Sequence, residues 1–119
     1  MKNEEKKGFD VVFFETENGK QPVREFIKNL SKEDQKEVES DIRAVQDKFP
    51  IGLPLVKKLK PKLWEIRSTT KDGINRVFFT FFNKKIILLH AFVKKVQKTP
   101  LKEIDVAIER LKDFKNMQK

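Results

Sequence analysis

The chain has 119 residues and no cysteine, which suits one domain (residues 1–119) and excludes disulfides, thiolate zinc sites and thiol nucleophiles. It shows no signal-peptide h-region and no apolar run long enough to span a bilayer, so a cytoplasmic location is expected. The net charge of +9 is unevenly held: residues 1–54 carry 10 basic and 12 acidic groups, and residues 55–119 carry 17 and 6.

The charged ends, Met1 to Lys7 and Lys115 to Lys119, read as frayed. Phe9 to Glu15 is a β-branched and aromatic run that suits a strand, and Asn18-Gly19 marks the turn after it. Pro22 fits the first turn of a short helix with Val23, Phe26, Ile27 and Leu30 on one side. Ser31 caps a second helix, supported by Glu33 and Asp34 in its first turn. Its apolar residues Val38, Ile42, Val45 and Phe49 recur at helical spacing until Pro50 and Gly52 end it. This helical hairpin needs a sheet to cover its apolar stripe.

Ile51 to Lys62 reads as a loop with room for one short extended piece, and it carries Lys57, Lys58, Lys60 and Lys62. Three strands follow: Leu63 to Ser68, Ile74 to Phe82 and Lys85 to Phe92. Short Gly- and Asn-containing turns join them into a meander of antiparallel hairpins. Thr99 is placed as the cap of a last helix with Pro100 at its first position and Leu101, Ile104, Ile108 and Leu111 as its buried stripe. The expected order is βααβββα, an α+β fold with a mainly antiparallel sheet packed by helices.

The basic second half concentrates a positive field that RNA, DNA or an acidic protein would feel. The cations lie beside strands rather than along one amphipathic helix, so a membrane surface is the weaker partner. Arg67, Arg76, His90, Lys94 and Lys95 sit at strand edges and in loops with no acidic cluster to bind metal, which points to phosphate, and no cofactor is implied. Metal-free RNA cleavage requires a base for the 2′-hydroxyl, a cation for the phosphorane and an acid for the departing 5′-oxygen. One histidine and no tyrosine leave these tasks to His90, to a carboxylate, or to lysines such as Lys57, Lys58, Lys94 and Lys95, whose crowding lowers a lysine pKa.

The bland alternatives are specific. Arg76 near the start of an apolar strand is either a phosphate ligand at the strand end or a buried partner of Glu65 on the neighbouring strand. Arg67 and the pair Lys94-Lys95 can serve as solvated strand ends. His90 interrupts an apolar run, where a histidine is commonly a hydrogen-bonded core residue. A strict two-residue turn at Asn83-Lys84 sets Phe82 opposite Lys85 and Arg76 opposite Ala91, which puts His90 and Arg76 on opposite faces, and one extra residue reverses that. Phe78, Phe79, Phe81 and Phe82 read as core. Phe92 is a candidate base-stacking ring, and core is preferred for Trp64.

The ordered block Leu63-Trp64-Glu65-Ile66-Arg67, a glycine loop, Asn75-Arg76-Val77-Phe78-Phe79, Leu88-Leu89-His90-Ala91-Phe92-Val93-Lys94-Lys95 and Gln97-Lys98-Thr99-Pro100 resembles the RelE/HigB toxins, most of all their phage-derived HigB branch. The similarity spans roughly Phe9 to Leu111 in element order. It implies a small microbial-RNase-like fold and the toxin of a type II toxin–antitoxin pair. Such toxins cut mRNA in the ribosomal A site and are neutralised by a cognate antitoxin, commonly HigA-like with a helix-turn-helix domain. The resemblance gives Arg76, Arg67, Lys95 and Lys94 phosphate-contacting or catalytic roles, leaves the role of His90 open, and aligns Lys57, Lys58 and Lys60 loosely with RNA-contacting loop lysines. Family members often carry a tyrosine near the site, and this chain has none. Two other readings stand beside it: a ParE-type toxin that inhibits gyrase, and a basic RNA-binding module without catalysis. An antitoxin can cover the basic site or wrap the helices, and the acidic stretch from Glu33 to Asp47 offers a second surface.

Overall fold

The computed structural model of the protein describes residues 9–52, 54–71, 73–94 and 100–118. Their order is β1 (Asp10–Phe13), α1 (Pro22–Lys28), α2 (Lys32–Lys48), β2 (Val56–Lys60), β3 (Leu63–Thr70), β4 (Gly73–Phe82), β5 (Lys85–Lys94) and α3 (Leu101–Met117). The five strands form one sheet in the order β1-β5-β4-β3-β2, antiparallel except for β1, which runs parallel to β5. The fold is α+β and compatible with a small RelE-like fold.

Local chemistry explains most boundaries. Pro22 opens α1, where a missing N–H costs nothing. The Ser31 hydroxyl accepts the Asp34 N–H at 3.2 Å and caps α2. Asn83 and Lys84 both hold positive φ, 50° and 62°, which is the two-residue turn whose twist matches a hairpin, and Phe82 lies opposite Lys85 as expected.

Three expectations need correction. The expected order βααβββα lacks β2: the short extended piece allowed between Ile51 and Lys62 is a paired edge strand, whose exposed lysines and register shift between Lys58 and Lys60 hide its alternation. Lysine is a common guard of a sheet edge, so a charged stretch can be a strand. Pro100 is the N-cap of α3 rather than its first residue, and Leu101 is 74% exposed. The buried stripe is instead Ile104, Ala107 and Phe114, with Ile108 and Leu111 partly covered. Helix α3 also runs through Lys115 to Met117, where a frayed end was expected. Thr99 and the Met1 to Lys7 end lie outside the described residues.

Each sheet face has its own core. Against α1 and α2 pack Ile66, Val77, Phe79, Ile86 and Leu88, with Phe49, Trp64 and Phe81 at the margin. Against α3 pack Leu63, Phe78, Ile87 and Leu89, with Phe92 and Phe82 at the margin. The helical hairpin leaves β1 at one edge and delivers the chain to β2 at the other. Five strands span about 19 Å and the 17 residues of α2 about 25 Å, so the hairpin is long enough to cross the whole sheet. The opposite face packs against α3.

Candidate functional site

One extra residue in β5 decides which side chains share that face. From Phe82 opposite Lys85 to Phe79 opposite Leu88 the hairpin keeps its strict register, and then Phe78 pairs with His90 and Arg76 with Phe92. Leu89 is the extra residue of a β-bulge, and beyond it the alternation of β5 is reversed. His90 and Arg76 therefore lie on the same face, contrary to a strict two-residue hairpin. Register then joins Lys57 to Glu65, Arg67 to Arg76, and Arg76 to Phe92, all on the side where Phe78 packs against α3.

The two paired arginines occupy different environments. Arg76 is 1% exposed, and its Nη1 donates to Glu65 Oε2 at 2.8 Å, with Glu65 fully buried. This is the buried-pair geometry weighed for Arg76 from the sequence. Arg67, directly across the ladder, is half-buried and lines an open cavity of about 400 Å³ with Glu37, Asp41, Leu55 and Thr69. On the helical-hairpin side of that edge, the Ser68 hydroxyl donates to Asp41 Oδ2 at 2.6 Å and ties β3 to α2.

The lysines separate in the same way. Lys57 is exposed on β2 and shares the face of Glu65, whereas Lys58 lies over the Trp64 ring at 5.7 Å on the other face. Lys60 is exposed opposite Leu63 beyond the register shift. Lys94 closes β5 opposite Ile74, and Lys95 lies outside the described residues.

His90 stands at the centre of a polar cluster with α3. Its Nε2 meets Glu103 Oε1 at 2.5 Å, and Arg110 Nη1 reaches both its Nδ1, at 3.2 Å, and the Leu89 carbonyl at the bulge, at 2.9 Å. A guanidinium can only donate, so Nδ1 accepts and the ring proton sits on Nε2, directed at the carboxylate. Phe92 stacks on the ring at 5.5 Å and Phe78 meets its edge at 6.0 Å. Burial pushes the His90 pKa below 6.5. The Glu103 hydrogen bond and charge oppose that, and the Arg110 charge adds to it. Burial also lowers the Arg110 pKa from its ordinary value, and a guanidinium stays charged at neutral pH.

The sign of the resulting pH dependence follows from linkage. On acidification the unfolded chain takes up this proton first. Stability contributed by neutral His90 is therefore complete above 6.5 and is lost as the pH falls through that value toward the lower folded one. Urea unfolding of wild type and His90→Asn at about pH 7.5 and about pH 5 should show a smaller pH-dependent loss in the variant.

Glu103 and Arg110 escaped the sequence reading because they look like polar positions of an amphipathic helix. Their seven-residue separation puts them on one stripe beside buried Ala107, which was the available signal. A second cavity, of about 960 Å³ between the loop after β1 and α3, is lined by the carboxylates of Glu17, Asp105, Glu109 and Asp113 against the single cation Arg110, a balance that disfavours phosphate. Among the described residues no group of three or more histidine, aspartate or glutamate side chains is arranged to hold a metal ion. Among them, too, no helix is long and apolar enough to cross a membrane.

No curated protein matches the chain. Residues 25–112, which run from α1 to the last turns of α3, match the family model described as Phage derived protein Gp49-like (DUF891). The chain thus belongs to the phage-derived Gp49-like family, a family of RelE- and toxin-like proteins.

Proposed function

We propose that the protein is the toxin of a type II toxin–antitoxin pair, of the HigB kind, which cuts mRNA on the ribosome and is held inactive by a HigA-like antitoxin. The observation that carries this reading is the bulge-shifted register, which brings Lys57, Arg67, Arg76 and His90 to one sheet face in a chain of the Gp49-like family. In this reading the toxin acts in the cytoplasm as one domain, without a metal.

The roles divide by environment. Arg67 stabilises the phosphorane charge, because it is the arginine of the facing pair that solvent reaches. Arg76 supports it from below by holding the ladder at Glu65. Lys94 and Lys95 contact the scissile phosphate, as the His-Ala-Phe-Val-Lys-Lys motif implies. Lys57 and Lys60 contact the RNA backbone on this side, and Lys58 contacts it from the other face of the edge strand, where each neutralised phosphate adds to a salt-dependent affinity.

One observation favours a second reading. Arg76 is sealed in an ion pair, and a face that offers phosphate its outer cations alone can bind RNA without cutting it. Induced expression in bacteria, with primer extension on a translated message and on the same message lacking its start codon, separates the two. Cuts confined to the translated message are expected. Growth arrest with intact message instead identifies a gyrase-type toxin, and growth without arrest leaves the RNA-binding module.

A further inference from the structure

Both ring nitrogens of His90 are occupied. Nδ1 accepts from Arg110 and Nε2–H donates to Glu103, so the imidazole has no lone pair to offer a 2′-hydroxyl. Glu103 is different. Its side chain is 21% exposed, and among the described residues its Oε2 makes no hydrogen bond. It sits in the first turn of α3, where the positive end of the helix favours a carboxylate. Through His90 it adjoins Phe92, which stacks on the imidazole and lies opposite Arg76 in the same row as Arg67.

We propose that Glu103 is the general base of the RNA-cleaving site, with His90 and Arg110 as the residues that position it. This inference rests on the nuclease reading above. Arg110 anchors to the Leu89 carbonyl that the bulge exposes and fixes the His90 tautomer, and the Nε2–H then aims the carboxylate. In the reaction Glu103 takes the proton of the 2′-hydroxyl as that oxygen bonds to phosphorus. The bond from phosphorus to the 5′-oxygen breaks, and the 5′-oxygen takes a proton from water. The products are a 2′,3′-cyclic phosphate and a free 5′-hydroxyl. The carboxylate thus fills the role that the missing second histidine or tyrosine would otherwise take.

The test uses the full chain and ribosomes programmed with a labelled message, in single turnover across pH. Glu103→Gln keeps an oxygen to accept the Nε2–H but has no basicity. It is expected to cut about 10²–10⁴-fold more slowly and to lose the acid limb of the wild-type pH profile. A purely structural Glu103 would leave the rate and the profile unchanged in this variant, and that result overturns the proposal. His90 is the only histidine in the chain, so its ¹⁵N signals report the tautomer directly. An Nε2–H ring in wild type and in Glu103→Gln is expected, with loss of that preference in Arg110→Gln, and an Nδ1–H ring in wild type sinks the positioning scheme. If the glutamine variant does not fold, Glu103→Asp decides. Slowed cutting that retains an acid limb supports the base, whereas a wild-type rate with no acid limb overturns it. Wild type that cuts no message on these ribosomes removes the nuclease reading itself, an outcome distinct from active wild type beside an equally active Glu103→Gln.

Discussion

Arg76→Ala is expected to lower the unfolding free energy by about 3–5 kcal/mol, because it strips the guanidinium from a carboxylate that has no access to water. The loss is large because of the charge left behind, not because the ion pair is itself strongly stabilising. Burying two charges costs several kcal/mol each, and their attraction does little more than offset this. Replacing both partners by apolar residues, Arg76→Met with Glu65→Met, should therefore recover most of the stability that Arg76→Ala loses. Urea denaturation of the wild type, the single variant and the double variant checks this. A single variant as stable as wild type would refute the buried-pair account.

Arg67→Ala is expected to do the opposite. It should slow single-turnover cleavage about 10²–10³-fold, the usual effect of removing one donor from a developing oxyanion. Its stability should change by about 1 kcal/mol or less, since the side chain is half-buried at the end of the β2–β3 ladder and partly hydrated. The two arginines face each other across one rung, so the pair of substitutions is internally controlled. If Arg67→Ala unfolds the chain while cleavage by the remaining folded fraction is normal, the assignment of the outer arginine to phosphate fails.

Elements with a strong period or an explicit cap were legible: Pro22, the Ser31 cap, the stripe of α2 and the Asn83-Lys84 turn all appear as read. The lysine-rich β2 was not, because an edge strand pairs on one side alone and its exposed positions follow solubility rather than alternation. Leu101 was assigned to the buried face because it is apolar, whereas the stripe of α3 is set by where the helix meets the sheet. The faces of Arg76 and His90 depended on a bulge that has no signature in composition. Glu103 and Arg110 became visible only once His90 was placed between them.

The bulge at Leu89 has a consequence for how such a chain can vary. The half of β5 before it is committed twice, to β1 on one side and to β4 on the other, with Ile86, Ile87 and Leu88 wholly buried. The half after it pairs with β4 and carries His90 and Phe92. The extra residue lets these halves keep different parities, so the distal positions can exchange side chains without shifting the apolar row that holds the sheet together. Foldability and the candidate site are in this way encoded in adjacent stretches of a single strand, so that substitutions at His90 and Phe92 leave the apolar row before the bulge in place.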